Sequence, residues 1–275
     1  MEKVEDGVKI NGKSVNAIRF ADDQAMMDGT KKGLQRIMNA LDETSDEYGM
    51  KINIKKTKVM HIRKGKAKQM KITVKGMVLE QVKEFKYLGS LITEDARCHS
   101  EIRRRIAMGK QSFMARGELL RSGINKELRK RMVKVLVWSV VLYGAETWTM
   151  RKEDIKALEA FEMWIWRRME KINWTEHITN DEVLKRVEES RTLLETIRKR
   201  QQKWIGHILR GNSMMTTILE GQMKGRKTRG RPRVMLLTWM MDNGNNGNSY
   251  KWLKEKAQNR TEWRRYQRTC TKQKT

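Results

Sequence analysis

The chain has 275 residues, and 38% are hydrophobic, or about 45% with glycine, which suits one sizeable core or two smaller ones at the apolar-poor end of globular proteins. Sixty Lys and Arg against 33 Asp and Glu leave a formal net charge of +27, which calls for a polyanionic partner, nucleic acid above all. Nothing in the pattern reads as a membrane span, a signal peptide, a disulfide framework or a zinc site. Its most apolar stretch, Val133 to Tyr143, falls far short of a bilayer, half of the first ten residues are charged, and Cys98, Cys270 and four histidines are scattered.

In chain order, residues 8–20 read as a β-hairpin: Val8-Lys9-Ile10, an Asn11-Gly12 turn, then a strand running from Val15 through Phe20 into Asp22-Asp23. A short strand over 24–27 returns from that acidic turn. Thr30 is the expected N-cap of a helix striped by Leu34, Ile37, Met38, Leu41 and Tyr48 and stopped at Gly49. Short β signals come next at 51–54, 58–62, 71–74 and 77–79, the last two joined by Lys75-Gly76. Residues 85–92 form one more strand pair, bent at Gly89.

From about Asp95 the pattern is helical. Ile102, Ile106 and Phe113 mark one helix; a second is capped near Asn125, striped by Leu128, Met132, Val135, Leu136, Ser139 and Leu142, and ended by Gly144. Ile155, Leu158, Phe161, Ile165, Met169 and Ile172 stripe a third, with Trp164 and Trp166 off that stripe and so candidates for stacking or a subunit contact, although buried packing is the favoured reading. Thr179-Asn180-Asp181-Glu182 is a capping box opening a fourth. Leu194, Ile197, Trp204, Ile205 and Ile208 stripe a fifth. After Gly211 comes the basic, glycine-punctuated loop 225–233, then a linker over 243–249 and a last helix over 250–266. The charge is uneven: residues 1–100 carry a net +6 and residues 101–275 a net +21.

Phe20-Ala21-Asp22-Asp23 places two carboxylates on a tight turn, hard oxygen donors of the kind that hold Mg²⁺. A metal pair that aligns a 3′-hydroxyl with a triphosphate needs at least one more carboxylate from another strand. Arg19-Phe20-Ala21-Asp22-Asp23 resembles the signature of reverse transcriptases in the form found in non-LTR retrotransposons. The order of the later segments is similar too: the helix and strand segment over 41–60, and Phe85-Lys86-Tyr87-Leu88-Gly89 like a primer-grip hairpin. Tyr143-Gly144-Ala145-Glu146-Thr147-Trp148 and Trp204-Ile205-Gly206-His207 resemble landmarks of the carboxy-terminal part of endonuclease–reverse transcriptase polyproteins.

The resemblance implies an α+β fold in four segments. These are a partial palm over 1–93, thumb-like helices over 94–148, a helical carboxy-terminal region over 149–212, and the basic Gly/Arg loop with a final helix over 213–275. It makes Asp22 and Asp23 the catalytic metal ligands for Mg²⁺, provided that an upstream polypeptide completes the palm with its own aspartate. Lys55, Lys56 and Lys58 stand where a triphosphate would be met, or form a basic surface loop. Tyr87, Leu88 and Gly89 press on a primer, or are ordinary strand core. Arg103, Arg104 and Arg105, with Arg129, Lys130 and Arg131, are placed to track a duplex by phosphate contacts.

Arg229-Gly230-Arg231-Pro232 resembles the core of an AT-hook, an extended peptide that lays Arg229 and Arg231 in a narrow A·T minor groove; a nuclear-import tag or a plain phosphate loop fits equally. The expectation is a carboxy-terminal portion of a non-LTR reverse transcriptase that binds RNA template, DNA primer or duplex in the nucleus, without membrane and without polymerising alone. Its rivals are a domesticated non-enzymatic nucleic-acid binder, a helical protein oligomerising through the stripe from Ile155 to Ile172, and a gene fragment with no selected role. Exposed sheet edges in residues 8–92 favour the last.

Overall fold

The computed structural model describes residues 6–63, 68–221, 236 and 250–272, with side chains as far as residue 268. The fold is α+β, and the chain divides into two units, Met1–Ala96 with Asn212–Arg231 and Arg97–Gly211 with Pro232–Thr275.

Residues 6–96 of the first unit are built of hairpins and a helix. Strands β1 (Val8–Ile10) and β2 (Lys13–Val15) are antiparallel, and Asn11 and Gly12 both take positive φ, 49° and 81°, the geometry that matches the twist of a two-residue hairpin. Strands β3 (Ala17–Phe20) and β4 (Asp23–Met26) form the second hairpin, with Phe20 opposite Asp23. Helix α1 (Lys31–Glu47) starts where the Thr30 hydroxyl accepts from the Gly33 N–H. Then come β5 (Lys58–Val59), β6 (Thr73–Val74), β7 (Met77–Val78) and β8 (Glu80–Gln81), β6 and β7 turning through Lys75-Gly76 and β5 pairing in parallel with β8. Strands β9 (Glu84–Tyr87) and β10 (Ser90–Thr93) turn through Leu88 and Gly89, at φ 46° and 80°.

Met38 of α1 packs with Val59, Ile72, Val74 and Leu79, flanked by Leu34 and Leu41. Gln35 secures the helix to the β6 edge with its amide: Nε2 donates to the Thr73 carbonyl at 2.7 Å and Oε1 accepts the Thr73 N–H at 2.9 Å. Two expectations fail here. Tyr48 is not in the helical stripe; it caps α1 and is 75% exposed. Residues 51–54 are not a strand, because the Asn53 carbonyl accepts from the Thr57 N–H and hydroxyl and the Asn53 side chain from the Lys56 N–H. An asparagine that closes on its own backbone competes with a sheet ladder.

The second unit is helical among the described residues: α2 (His99–Ala115), α3 (Gly117–Leu120), α4 (Lys126–Leu136), α5 (Trp138–Val141), α6 (Lys152–Met169), α7 (Asn180–Val187) and α8 (Leu193–Arg210). Its main core joins Ile102 and Phe113 of α2 to Val133, Trp138, Val141, Phe161, Ile165, Trp166, Val183 and Ile197. At the α2 crossing a Cβ on Gly109 would lie 2.3 Å from Val141 Cγ2 and 2.9 Å from Phe161 Cζ, so the helices meet there because glycine has none. The expected single helix over 126–142 breaks at Val137, and the Ser112 hydroxyl takes up the Leu136 carbonyl at 3.1 Å. The buried face is also turned: Val133, Val137 and Val141 point inward, whereas Leu128 and Val135 are exposed.

Residues 212–221 belong to the first unit and contain α9 (Met214–Glu220), which the hydrophobic pattern left unmarked. The carboxy-terminal helix expected over 250–266 is two, α10 (Tyr250–Gln258) and α11 (Arg260–Lys272), separated at Asn259. Leu253, Ala257 and Trp263 of this pair pack with Ile205 and Leu209 of α8 into a second core cluster.

Candidate nucleic-acid interface and acidic turn

Asp22 and Asp23 sit at the tip of the β3–β4 hairpin, both exposed. Ala21 beside them is held at φ 51°, a left-handed conformation that costs a residue with a Cβ about 1 kcal/mol and that clusters at functional turns. Phe20, opposite Asp23, is 64% exposed. Asp28 gives no further ligand, since its carboxylate accepts from the Gly7 N–H and from the Thr30 N–H and hydroxyl. Among the described residues no three acidic, histidine or cysteine side chains gather to hold a metal. The donor chemistry of Asp22 and Asp23 suits Mg²⁺, but two carboxylates are an incomplete set for a catalytic pair, and they support no step through the ion.

The β9–β10 hairpin lies against this one. The Tyr87 hydroxyl donates to the Ile18 carbonyl of β3 at 3.4 Å, across 69 positions of sequence. This bond links the strand leading to the acidic turn with the strand leading to the Leu88-Gly89 turn, and Leu88 and Phe85 are more than a third exposed. Lys55 and Lys56 are exposed, and no hydrogen bond or ion pair ties their ammonium groups to the acidic turn among the described residues. Lys58 pairs with Glu80 across the parallel strand pair at 2.5 Å, an exposed ion pair that a triphosphate would have to displace.

Residues 1–92 match the family model described as reverse transcriptase (RNA-dependent DNA polymerase). A putative uncharacterized transposon-derived protein of Caenorhabditis elegans is 26% identical over 208 residues, 74% of this chain and 75% of that relative. Residues 1–92 are thus similar to a reverse-transcriptase domain, and the chain is similar to a transposon-derived protein. No solved structure matches it.

The carboxy-terminal landmarks, residues 143–148 and 204–207, hold the helices together. Gly144 takes φ 71° after α5, and the turn beyond it is gripped from α8: Gln201 Nε2 donates to the carbonyls of Ala145 and Trp148 at 3.1 and 2.9 Å, and Arg200 to that of Leu142 at 3.1 Å. Buried Gln201 makes the Tyr143–Trp148 segment a docking point for α8. Gly206, in Trp204-Ile205-Gly206-His207, lets the Trp263 indole lie directly on α8.

The arginine runs are divided by helix geometry, because successive residues turn by about 100°. Arg103 faces solvent, but Arg104 and buried Arg105 close on Glu101 at 2.9 and 2.6 Å, and Arg105 also lies over the Tyr143 ring at 4.5 Å. In the second run Arg131 is exposed. Arg129 donates to the Met169 carbonyl and pairs with Glu170, and Lys130 is buried against Glu127 and the Glu188 carbonyl. Of six expected phosphate contacts, Arg103 and Arg131 remain on the surface. Arg229 and Arg231 lie outside the described residues.

Trp166 is fully buried and edges against Trp138, so it is core. Trp164 is half-buried, with Arg168 and Lys110 over its ring at 4.9 and 5.3 Å and Phe161 stacked at 6.4 Å, which leaves little face for a base. Beside it opens a cleft of about 450 Å³ lined by Lys156, Glu159, Met163, Arg167 and Arg191 among others. Leu158, Phe161, Ile165 and Met169 are inside the core, so the stripe expected to oligomerise is covered within the second unit. Sequence reading also missed His99 and Asp154, whose Nδ1 and Oδ1 are 2.6 Å apart and tie the first turn of α2 to that of α6.

Proposed function

We propose that this reverse-transcriptase-like chain binds nucleic acid through phosphate contacts and does not polymerise by itself, its palm elements needing a strand from a further polypeptide to make a metal site. The observation that carries the reading is the net charge of +27 on a chain whose signature turn presents only two carboxylates among the described residues. Polymerase chemistry asks for a third ligand; backbone binding asks only for cations. Exposed Ile18 and Phe20 on a two-stranded sheet support a missing neighbour on β3–β4. A nuclear location agrees with this reading.

The test is fluorescence anisotropy of labelled duplex and single-stranded probes across a salt series. Asp22→Ala is expected to leave affinity unchanged within about twofold, whereas rising salt weakens binding steeply, as counterion release requires. Mg²⁺-dependent primer extension by the native chain, lost in Asp22→Ala, would sink the non-polymerising half of the proposal. A second variant, Arg229→Ala with Arg231→Ala, is expected to weaken A·T-rich duplex most if the loop enters a minor groove. Equal loss on G·C-rich duplex leaves that loop a phosphate contact only.

A further inference from the structure

Helix α11 carries Arg260, Arg264 and Arg268 at intervals of four, each exposed, so they form one row with a rise of about 6 Å per step. The opposite face is occupied by Trp263, 2% exposed, and half-buried Tyr266, both packed in the cluster with α8. Arg210, the last residue of α8, is fixed beside this row: its Nη1 donates to the Ala257 carbonyl at 2.9 Å, and Gln258 Nε2 returns a bond to the Leu209 carbonyl at 2.9 Å.

Arg260 and Arg264 stand close enough to Arg210 to act on it as like charges. Arg210 is held below the ordinary arginine range, first by burial and then by the positive charges of Arg260 and Arg264. Glu262, the acidic residue of α11's first turn, is engaged with Lys256 at 2.7 Å. No ion pair reaches Arg210, Arg260, Arg264 or Arg268 among the described residues. Nor is this a helix-end effect, because Asn259 already accepts the N–H groups of Thr261 and Glu262. Like charges fixed side by side without a protein counterion are what a polyanion compensates.

We propose that Arg210, Arg260, Arg264 and Arg268 form a clamp for the phosphate backbone of a nucleic-acid duplex, held without regard to base sequence. The proposal rests on the nucleic-acid reading above and assigns it a surface. Two observations select the ligand. Trp252, Trp263 and Tyr266 pack on one another, at 5.4 Å for each Tyr266 pair, so they are not free to stack unpaired bases. No large apolar side chain is exposed in α10 or α11 as far as residue 268, so nothing there would enter a lipid layer.

The experiment measures duplex affinity of the full chain against salt, on A·T-rich and G·C-rich probes. It compares the native chain, the triple variant Arg260→Gln, Arg264→Gln, Arg268→Gln, and a charge-matched control, Lys9→Gln, Lys13→Gln, Lys32→Gln. The clamp variant is expected to lower the slope of log K on log salt by about 3 and affinity by roughly tenfold or more on both probes, with the control nearly native. Arginine-to-lysine changes at the same three positions restore the slope, and an unchanged circular dichroism spectrum shows that the fold persists. If the native chain binds duplex and the clamp variant matches it, or the control falls equally, the clamp is wrong while the nucleic-acid reading stands. If the native chain binds no nucleic acid at low salt, both fail. Loss of binding to phosphatidylserine vesicles with duplex binding intact would assign the row to a membrane and overturn it.

Discussion

Gly206→Val is expected to destabilise the second unit by about 3 kcal/mol and Gly206→Ala by less, the damage centred on α8, α10 and α11. A Cβ at Gly206 would stand 2.1 Å from Trp263 Nε1, 2.5 Å from its Cε2 and 2.7 Å from its Cδ1. The indole cannot move aside freely, because it is 2% exposed and its Nε1 donates to the Gln202 carbonyl at 3.1 Å. Two effects oppose each other for alanine. Replacing a glycine within a helix returns about 1 kcal/mol of propensity, whereas overpacking costs about 1–3 kcal/mol, so the clash decides the sign. Valine gains less propensity and adds bulk. Urea unfolding followed by tryptophan fluorescence reads the loss, and amide exchange places it. In a Trp263→Ala background the cost of Gly206→Ala should nearly vanish, since the two sites are coupled by contact. A Gly206→Ala chain as stable as the native one would mean that the indole packs elsewhere. The arginine row of α11 faces away from this cluster, so the same variant should also weaken duplex binding if that row needs its helix in place.

Short-range chemistry accounts for the parts of the fold that were legible in the sequence. Asn11-Gly12, Lys75-Gly76 and Leu88-Gly89 turn their hairpins because the glycine at the second position takes positive φ without a Cβ, and Thr30 and Thr179 cap their helices with their own hydroxyls. The acidic hairpin was legible for the same reason. Helix phase was less so, because the second unit buries Glu101, Arg105, Lys130, Asp154, Glu162, Gln201 and Gln202. A pattern of apolar positions assigns such residues to the surface, which turned Leu128 and Val135 inward and offered Arg104, Arg105, Arg129 and Lys130 to a ligand. Arg104 closes on Glu101 one turn away in its own helix, whereas Arg105, Arg129 and Lys130 also reach partners that only the fold supplies. Arg210 joins Arg260 and Arg264 across about fifty positions, and Tyr87 reaches Ile18 across 69, distances over which no local pattern carries information.

The second large effect concerns Glu162. Helix α8 has no side-chain cap of its own, as Thr192 makes none. The missing acceptor comes from α6: Glu162, 1% exposed, takes the N–H groups of Thr192 and Leu193 on Oε1 at 2.9 and 3.1 Å. Glu162→Ala leaves those N–H groups dry and unpaired, at about 1–3 kcal/mol each, and a total near 3 kcal/mol is expected. Glu162→Gln separates the acceptor from the charge. Burial raises the Glu162 carboxyl above its ordinary value of 4.5, against the lowering by the two backbone donors, so the folded chain holds that proton more tightly than the unfolded chain. The stabilisation linked to this proton is complete below the unfolded value and is lost as pH rises through the folded one. Glutamine keeps the carbonyl acceptor without the titration. The melting temperature of Glu162→Gln relative to the native chain should therefore climb as pH rises from the ordinary carboxyl value through the raised folded one, general charge repulsion cancelling in the difference. A flat difference would mean that water reaches the carboxylate and that α8 is capped by an ordinary ionised glutamate.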